Sequence, residues 1–210
     1  MMMASQRRAE RTRQRLLDAA AAEMSKFGYD GASLQRISKA AGVTMGALTF
    51  HFPAKLDLAY AIHVQGAART REAVSALAEA SAPVGTDTRL SRIVKITLVL
   101  GELLAEDAVV RAAARLTRER TPSQADWKDS WLPSVRLLLD QAREADELKP
   151  GAAPATVAAL TRYLVSGLEE SALPDSGAAP VAELADVWDL ILAGLQDCHP
   201  ALAQHTHRDT

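Results

Sequence analysis

Between Ser33 and Lys55 the chain sets hydroxyl, small and basic side chains at spacings suited to gripping a polyanion. Thr44, Met45, Gly46, Ala47, Thr49 and Phe50 follow a tight glycine turn, where the opening residues of a short helix could meet base edges in a DNA groove. Gly46 and Ala47 would let backbone come close, although small residues serve helix packing equally. Thr44 can cap its helix or donate to a phosphate. His51 and Lys55 flank the run as candidate phosphate holders, Lys55 with the positive N-terminus of the helix it begins. Ser33 and Arg36, on the preceding helix, are candidate phosphate contacts from the other side. Alternatively, Lys55 is a solvated surface lysine.

No comparable set for bond-making chemistry is found. The five histidines are His51, His63, His199, His205 and His207. The last three, with Cys198, lie past or beside Pro200 without a carboxylate framework or a Cys-x-x-Cys spacing, so a terminal tail accounts for them better than a metal site. A glycine-rich phosphate loop and a nucleophile elbow are both missing from the sequence. The expectation is a non-enzyme with no catalytic residues, no metal and no cofactor.

The elements that must position the Ser33–Lys55 residues follow from periodicity. Leu16, Leu17, Ala20, Ala21, Met24 and Phe27 recur at three- and four-residue spacing, predicting a helix over Glu10 to Phe27 that Gly28 stops. Tyr29-Asp30-Gly31 reads as a turn, Ser33 as the cap of a short helix Leu34 to Ala41, and Gly42 as its end. Thr44 caps a third helix, Met45 to Phe50, closed by Pro53. Leu34, Ile37, Val43, Leu48 and Phe52 are the small core. Helix, turn, short helix, glycine turn, short helix is a helix-turn-helix pattern.

A long connector helix follows, from Lys55 or Leu56 to about Ala80. Further helices are expected over Arg89–Ala105, Asp107–Arg118, Ser130–Leu148, Pro154–Ala172 and Pro180–Cys198, separated by Pro- and Gly-bearing breaks. The fold class is therefore all-α, about nine helices, with a DNA-binding head over 1–55 and a ligand-binding and dimerisation body over 56–210.

Composition agrees. Apolar residues make up 48% of the chain but aromatics only 4%, so a core rich in Ala and Leu favours helices. Residues 1–56 hold nine basic side chains against four acidic ones, on a chain whose net charge is −2. A basic head on an acidic body is what contact with phosphate at one end requires. A single cysteine excludes an internal disulfide, and no apolar run long enough to span a membrane exists. A cytoplasmic protein with no membrane partner is expected.

The motifs Gly31-Ala32-Ser33-Leu34, Ile37-Ser38-Lys39-Ala40-Ala41-Gly42-Val43-Thr44, Gly46-Ala47-Leu48 and Phe50-His51-Phe52-Pro53-Ala54-Lys55 resemble the TetR family of bacterial repressors. The resemblance implies a homodimer that binds double-stranded palindromic operator DNA. It also implies pairing of the last two helices with their mates, and a body pocket whose small-molecule effector releases the DNA. One departure is Thr49, where family members usually carry a Tyr that touches the DNA backbone. A lost phosphate contact should weaken binding by about 1 kcal/mol.

The body has apolar stripes beyond what a dimer seam needs. Leu100 and Leu103 lie along one helix and Thr161 and Val165 along another, as candidate pocket residues with Trp127 and Trp131. Thr161 is equally readable as bonding back to its own helix. Trp127, after a Thr-Pro-Ser-Gln loop, together with the Gly46–Phe52 signature, is similar to the γ-butyrolactone receptor branch, whose members bind autoregulator lactones or furans. That resemblance carries the role of pocket tryptophan to Trp127; a plain core tryptophan is the alternative. An acidic body and a pI near 6.2 favour a lactone receptor over basic relatives that sense antibiotics. The competing expectations are a TetR-like regulator of an antibiotic or other amphipathic compound, and a helical protein whose head no longer binds DNA.

Overall fold

The computed structural model describes residues 2–79, 88–119, 126–171 and 180–195. Nine α-helices are found among the described residues: α1 (Met2–Gly31), α2 (Leu34–Ala41), α3 (Met45–His51), α4 (Lys55–Ala78) and α5 (Arg89–Glu106), then α6 (Ala108–Arg118), α7 (Leu132–Glu144), α8 (Pro154–Ser171) and α9 (Pro180–Leu195). A single 3-10 turn, Trp127–Ser130, precedes α7. Among the described residues there is no strand.

The caps explain the head's boundaries. The Ser33 hydroxyl accepts from the Arg36 N–H, and the Thr44 hydroxyl accepts from the Ala47 N–H at 3.1 Å. Gly42 adopts the left-handed conformation, φ 63°, and returns its N–H to Lys39, while Val43 bonds back to Ser38 at 3.0 Å. That reversal sets the angle between α2 and α3. Leu16, Leu17, Ala20 and Met24 of α1 bury against Ile37, Leu48, Phe52 and Leu58, closing a three-helix head.

Both ends of the first helix and both ends of α7 differ from the sequence reading. The first helix starts at Met2 rather than Glu10, because the arginines, Gln and Ala of that stretch are good helix formers with no Gly or Pro to interrupt them. It breaks at Gly28, φ 72°, as expected, but a final turn to Gly31 continues beyond the break. The helix expected over Ser130–Leu148 is shorter at both ends. Its start is taken by the 3-10 turn, and its end comes where Asp146, φ 54°, stands in the left-handed position usually given to glycine.

The head is welded to the body. α1 lies along α6, and α4 packs on the same helix. Gly66 makes the second packing possible, since a Cβ there would sit 2.6 Å from the Ala113 methyl. α5, α7 and α8 complete the body core, and α9 rests on α5. The expected Cys198, His199, His205 and His207 tail, the Pro122 and Pro174 breaks and the end of the last helix lie outside the described residues. No described helix is long and apolar enough to cross a membrane.

Candidate functional site

Leu48 anchors α3 in the head core, and the register of a helix then turns Thr44, Met45, Gly46, Thr49 and Phe50 outward. Phe50 is 80% exposed, a large apolar side chain with no place in the fold. Its ring meets His51 edge-on with centroids 5.3 Å apart. Ala47 is half-buried against the turn that Thr44 caps. The Thr49 hydroxyl donates to the carbonyls of Met45 and Gly46, at 3.1 and 3.2 Å, so its one proton is engaged in its own helix.

The basic candidates divide by how they are held. Arg36 pairs with Glu23, donates to the Gly31 carbonyl at 2.6 Å and lies over the Phe27 ring, so it braces the α1–α2 corner. Lys55 sits over the Tyr29 ring and donates to the Asp30 carbonyl at 3.3 Å, at the start of α4. Ser33 is a cap. Arg15 is a brace that the sequence did not single out; it donates to the Ala41 carbonyl across 26 residues of chain, at the point where α2 ends.

In the body, Trp127, Trp131, Leu100, Thr161 and Val165 are buried together in one core. Leu103 is half-buried and faces a separate groove of about 550 Å³ with Arg69, Glu102 and Asp107. The Trp127 indole N–H donates to Thr70 of α4 at 2.9 Å, and its ring centroid is 6.1 Å from that of Trp131. Thr161 donates to the Val157 carbonyl at 2.9 Å, the back-bonded alternative of the sequence reading. Trp188 of α9 donates to Thr97 of α5 at 2.7 Å, which fixes α9 to the body.

Two buried titratable side chains escaped the sequence reading. Glu169 of α8 is almost fully enclosed, with Arg118 3.8 Å away. Burial pushes its carboxyl up to about 6 from 4.5, against the opposing pull of Lys128 and Arg118. His63 of α4 is 1% exposed, and burial lowers its pKa, with Asp126 opposing. A lone Glu or His on a helix face carries no mark of burial in the sequence.

The last turn of α6 joins these groups to the head. Thr117 accepts from the Trp127 N–H at 2.9 Å, Arg118 faces Glu169, and Glu119 accepts from the Tyr29 N–H at 2.8 Å. Arg115, one turn earlier, pairs with Glu119 at 2.8 Å and donates to the Ser25 and Lys26 carbonyls at 3.1 and 2.9 Å. Both ends of that contact meet at the Gly28 break, where Glu119 occupies the space a Cβ would need. Among the described residues, no three His, Cys, Asp or Glu side chains are placed to hold a metal ion.

A helix-turn-helix head with the outer face of α3 exposed, bound to an all-helical body through α6, is the arrangement the structure presents. Residues 16–62 match the family model of bacterial regulatory proteins of the tetR family. The chain is 28% identical over 206 residues to the A-factor receptor protein of Streptomyces griseus, covering 97% of this chain and 70% of that one. A solved γ-butyrolactone receptor, described as ArpA-like, superposes with TM-score 0.69 at 26% identity over 91% of both chains. The TetR family protein CprB from Streptomyces coelicolor, solved with its operator sequence, superposes with TM-score 0.69 at 27% identity over 91% of both chains. Residues 16–62 thus resemble the DNA-binding region of tetR-family regulators, and the similarity that extends along the chain runs to the A-factor receptor protein and the butyrolactone-receptor structures.

Proposed function

We propose that this regulator represses transcription as a homodimer on a near-palindromic operator and leaves it when a γ-butyrolactone- or furan-like autoregulator binds the body. The observation that carries the DNA half is the α3 face, with Met45, Thr49 and Phe50 exposed on a helix capped by Thr44. In the major groove, Phe50 and Met45 suit thymine methyl groups, and the free backbone at Gly46 allows close approach. Lys55 and the α4 N-terminus would meet phosphate. Because Arg36 is braced by Glu23, its contribution is to hold the corner and, at its exposed edge, to add positive potential.

Dimerisation is supported by what α8 and α9 leave uncovered. Tyr163, Val187 and Leu190 are exposed, Leu190 by 79%, while Leu184 and Trp188 face inward. Gly167 and Gly194 have open space in front of them, which permits a partner's helices to approach. Two heads on a two-fold axis read half-sites one helical turn, ~34–36 Å, or a multiple apart.

Release follows from the α6 turn. An effector that wedges against Trp127 displaces the Trp127 backbone that Thr117 holds, and the two residues after Thr117 carry that shift to Glu169 and to Tyr29 at the head. The effector acts only through its preference for the arrangement whose heads no longer match the half-sites. Fluorescence anisotropy on DNA from upstream of the protein's own gene, titrated with lactone and furan autoregulators, tests the reading. Salt-sensitive binding reversed by one of them supports it. Binding that only an unrelated amphipathic drug reverses favours the drug-sensing alternative, and failure to bind any palindrome contradicts repression.

A further inference from the structure

The first turns of α1 reach beyond the head that they begin. Gln6, Arg7, Arg8, Ala9, Glu10 and Arg11 are all exposed, and α1 enters the core only at Leu16. The Arg7, Arg8 and Arg11 guanidinium groups meet no acid and no acceptor among the described residues. They share one side of the helix. Arg7 stands four residues before Arg11, Arg11 four before Arg15, and Arg8 three before Arg11, while Leu16, Ala20 and Met24 fall on the opposite, buried side. This stripe does not stabilise the free helix. Like charges at three- and four-residue spacing repel, and cations near a helix N-terminus oppose its dipole, with no acid in the first turn of α1 to offset them. Unfavourable charge on helical turns that bury nothing calls for a polyanion outside the chain.

The stripe starts at the helix-turn-helix itself. Arg15, at its base, donates to the Ala41 carbonyl and lies against Gly42, the turn that leads into Thr44 and α3. Two residues earlier, Arg13 covers the Phe52 ring at the far end of α3, 5.0 Å from its centroid. α1 is therefore clasped at both ends of the α3 segment, and Arg11, Arg8 and Arg7 continue outward from that clasp. Toward the body the charge along α1 changes sign, since Asp18 lines a groove with Glu102, Glu106 and Asp107. The basic end projects from the head, away from the acidic groove.

We propose that Arg7, Arg8 and Arg11 form a second DNA contact, which grips the phosphates of the duplex flanking the half-site that α3 meets. The proposal rests on the reading that the head binds operator DNA. Charge complementarity and continuity with the α3 segment both favour duplex DNA as the occupant. Guanidinium forks match phosphate oxygens, and such contacts fix register and raise affinity without reading sequence.

The test uses the full-length protein and two duplexes from upstream of its own gene. One ends at the outer edge of each half-site, and the other carries one further helical turn, about 10 base pairs, on each side. The unmodified protein should bind the longer duplex about ten-fold more tightly or better, and the combined variant Arg7→Ala, Arg8→Ala, Arg11→Ala should bind the two alike. Three contacts on each of two protomers, at about 0.9 each, should make the slope of log affinity against log salt shallower by about five in that variant. Arg7→Lys, Arg8→Lys, Arg11→Lys, which keeps the charge, should keep most of the slope. A scrambled duplex should lose affinity by the same factor as the operator, because the target is phosphate. The helical spectrum and unfolding midpoint should stay unchanged, since these side chains touch nothing in the fold. Equal binding of both duplexes by the unmodified protein, an unchanged salt slope in the alanine variant, or a loss confined to the operator overturns the assignment while operator binding stands. Failure of the unmodified protein to bind either duplex at low salt overturns both this assignment and the operator reading beneath it.

Discussion

Phe50 is the residue whose position is hardest to reconcile with anything but contact outside the chain, since 80% of a large apolar side chain lies in water. Phe50→Ala should leave the unfolding midpoint within the small range of surface changes while weakening specific operator binding by about 1–3 kcal/mol, read by anisotropy against a scrambled duplex. Glu169 gives the second prediction. Its folded-state pKa of about 6 exceeds 4.5, so between those values the folded protein binds more protons than the unfolded chain, and stability rises as pH falls. Above about pH 6 the buried carboxylate costs about 2 kcal/mol. Glu169→Gln should therefore raise stability at pH 7.5 by up to that amount and lose the gain by pH 4.5, the variant-minus-parent difference in urea midpoints removing the opposite slope that His63 supplies. At this scale the sequence displayed the outward residues of α3 because their neighbours, Thr44 as cap and Gly42 as turn, act locally. It hid Glu169 and His63, whose burial is decided by helices distant in the chain.

Elements were readable wherever local chemistry ends them. Ser33, Gly42, Thr44 and Pro154 placed their helix boundaries at the observed residues. α7 was overextended because Asp146 holds a left-handed φ that the sequence advertises only with glycine. The α6 turn was invisible for another reason: Glu119 meets Tyr29 across 90 residues, and the acid three residues from a loop signals nothing. That turn makes a prediction of its own. Glu119→Ala removes the acceptor for the Tyr29 N–H and the partner of Arg115, at a cost of about 1–3 kcal/mol in stability. The effector should still bind, as calorimetry would show, but should release operator less completely, because the link between Trp127 and the Gly28 break is cut. Unchanged release would mean that α4 alone transmits.

At the scale of the molecule, the sequence separates head from body at residue 55, while the structure packs α1 on α6 and α4 on the same helix. That joint is what allows a body ligand to matter to the head, and no periodicity in a single chain reveals it. The outer surface of α8 and α9 makes the fourth prediction. Leu190→Glu places charge where a partner would cover an apolar side chain, so sedimentation should show monomer with an unchanged helical spectrum. Binding to a full palindrome should then fall to the level of a half-site.

The central claim is that effector and operator compete through one equilibrium of the same dimer. Thermodynamic linkage gives it a direct test: the factor by which saturating lactone weakens operator binding must equal the factor by which operator weakens lactone binding. Both can be read in one apparatus, by anisotropy of labelled DNA and by titration of lactone into free and operator-bound protein. The account predicts equal factors, on the order of 10- to 100-fold. Lactone that binds free and operator-bound protein with the same affinity would contradict it.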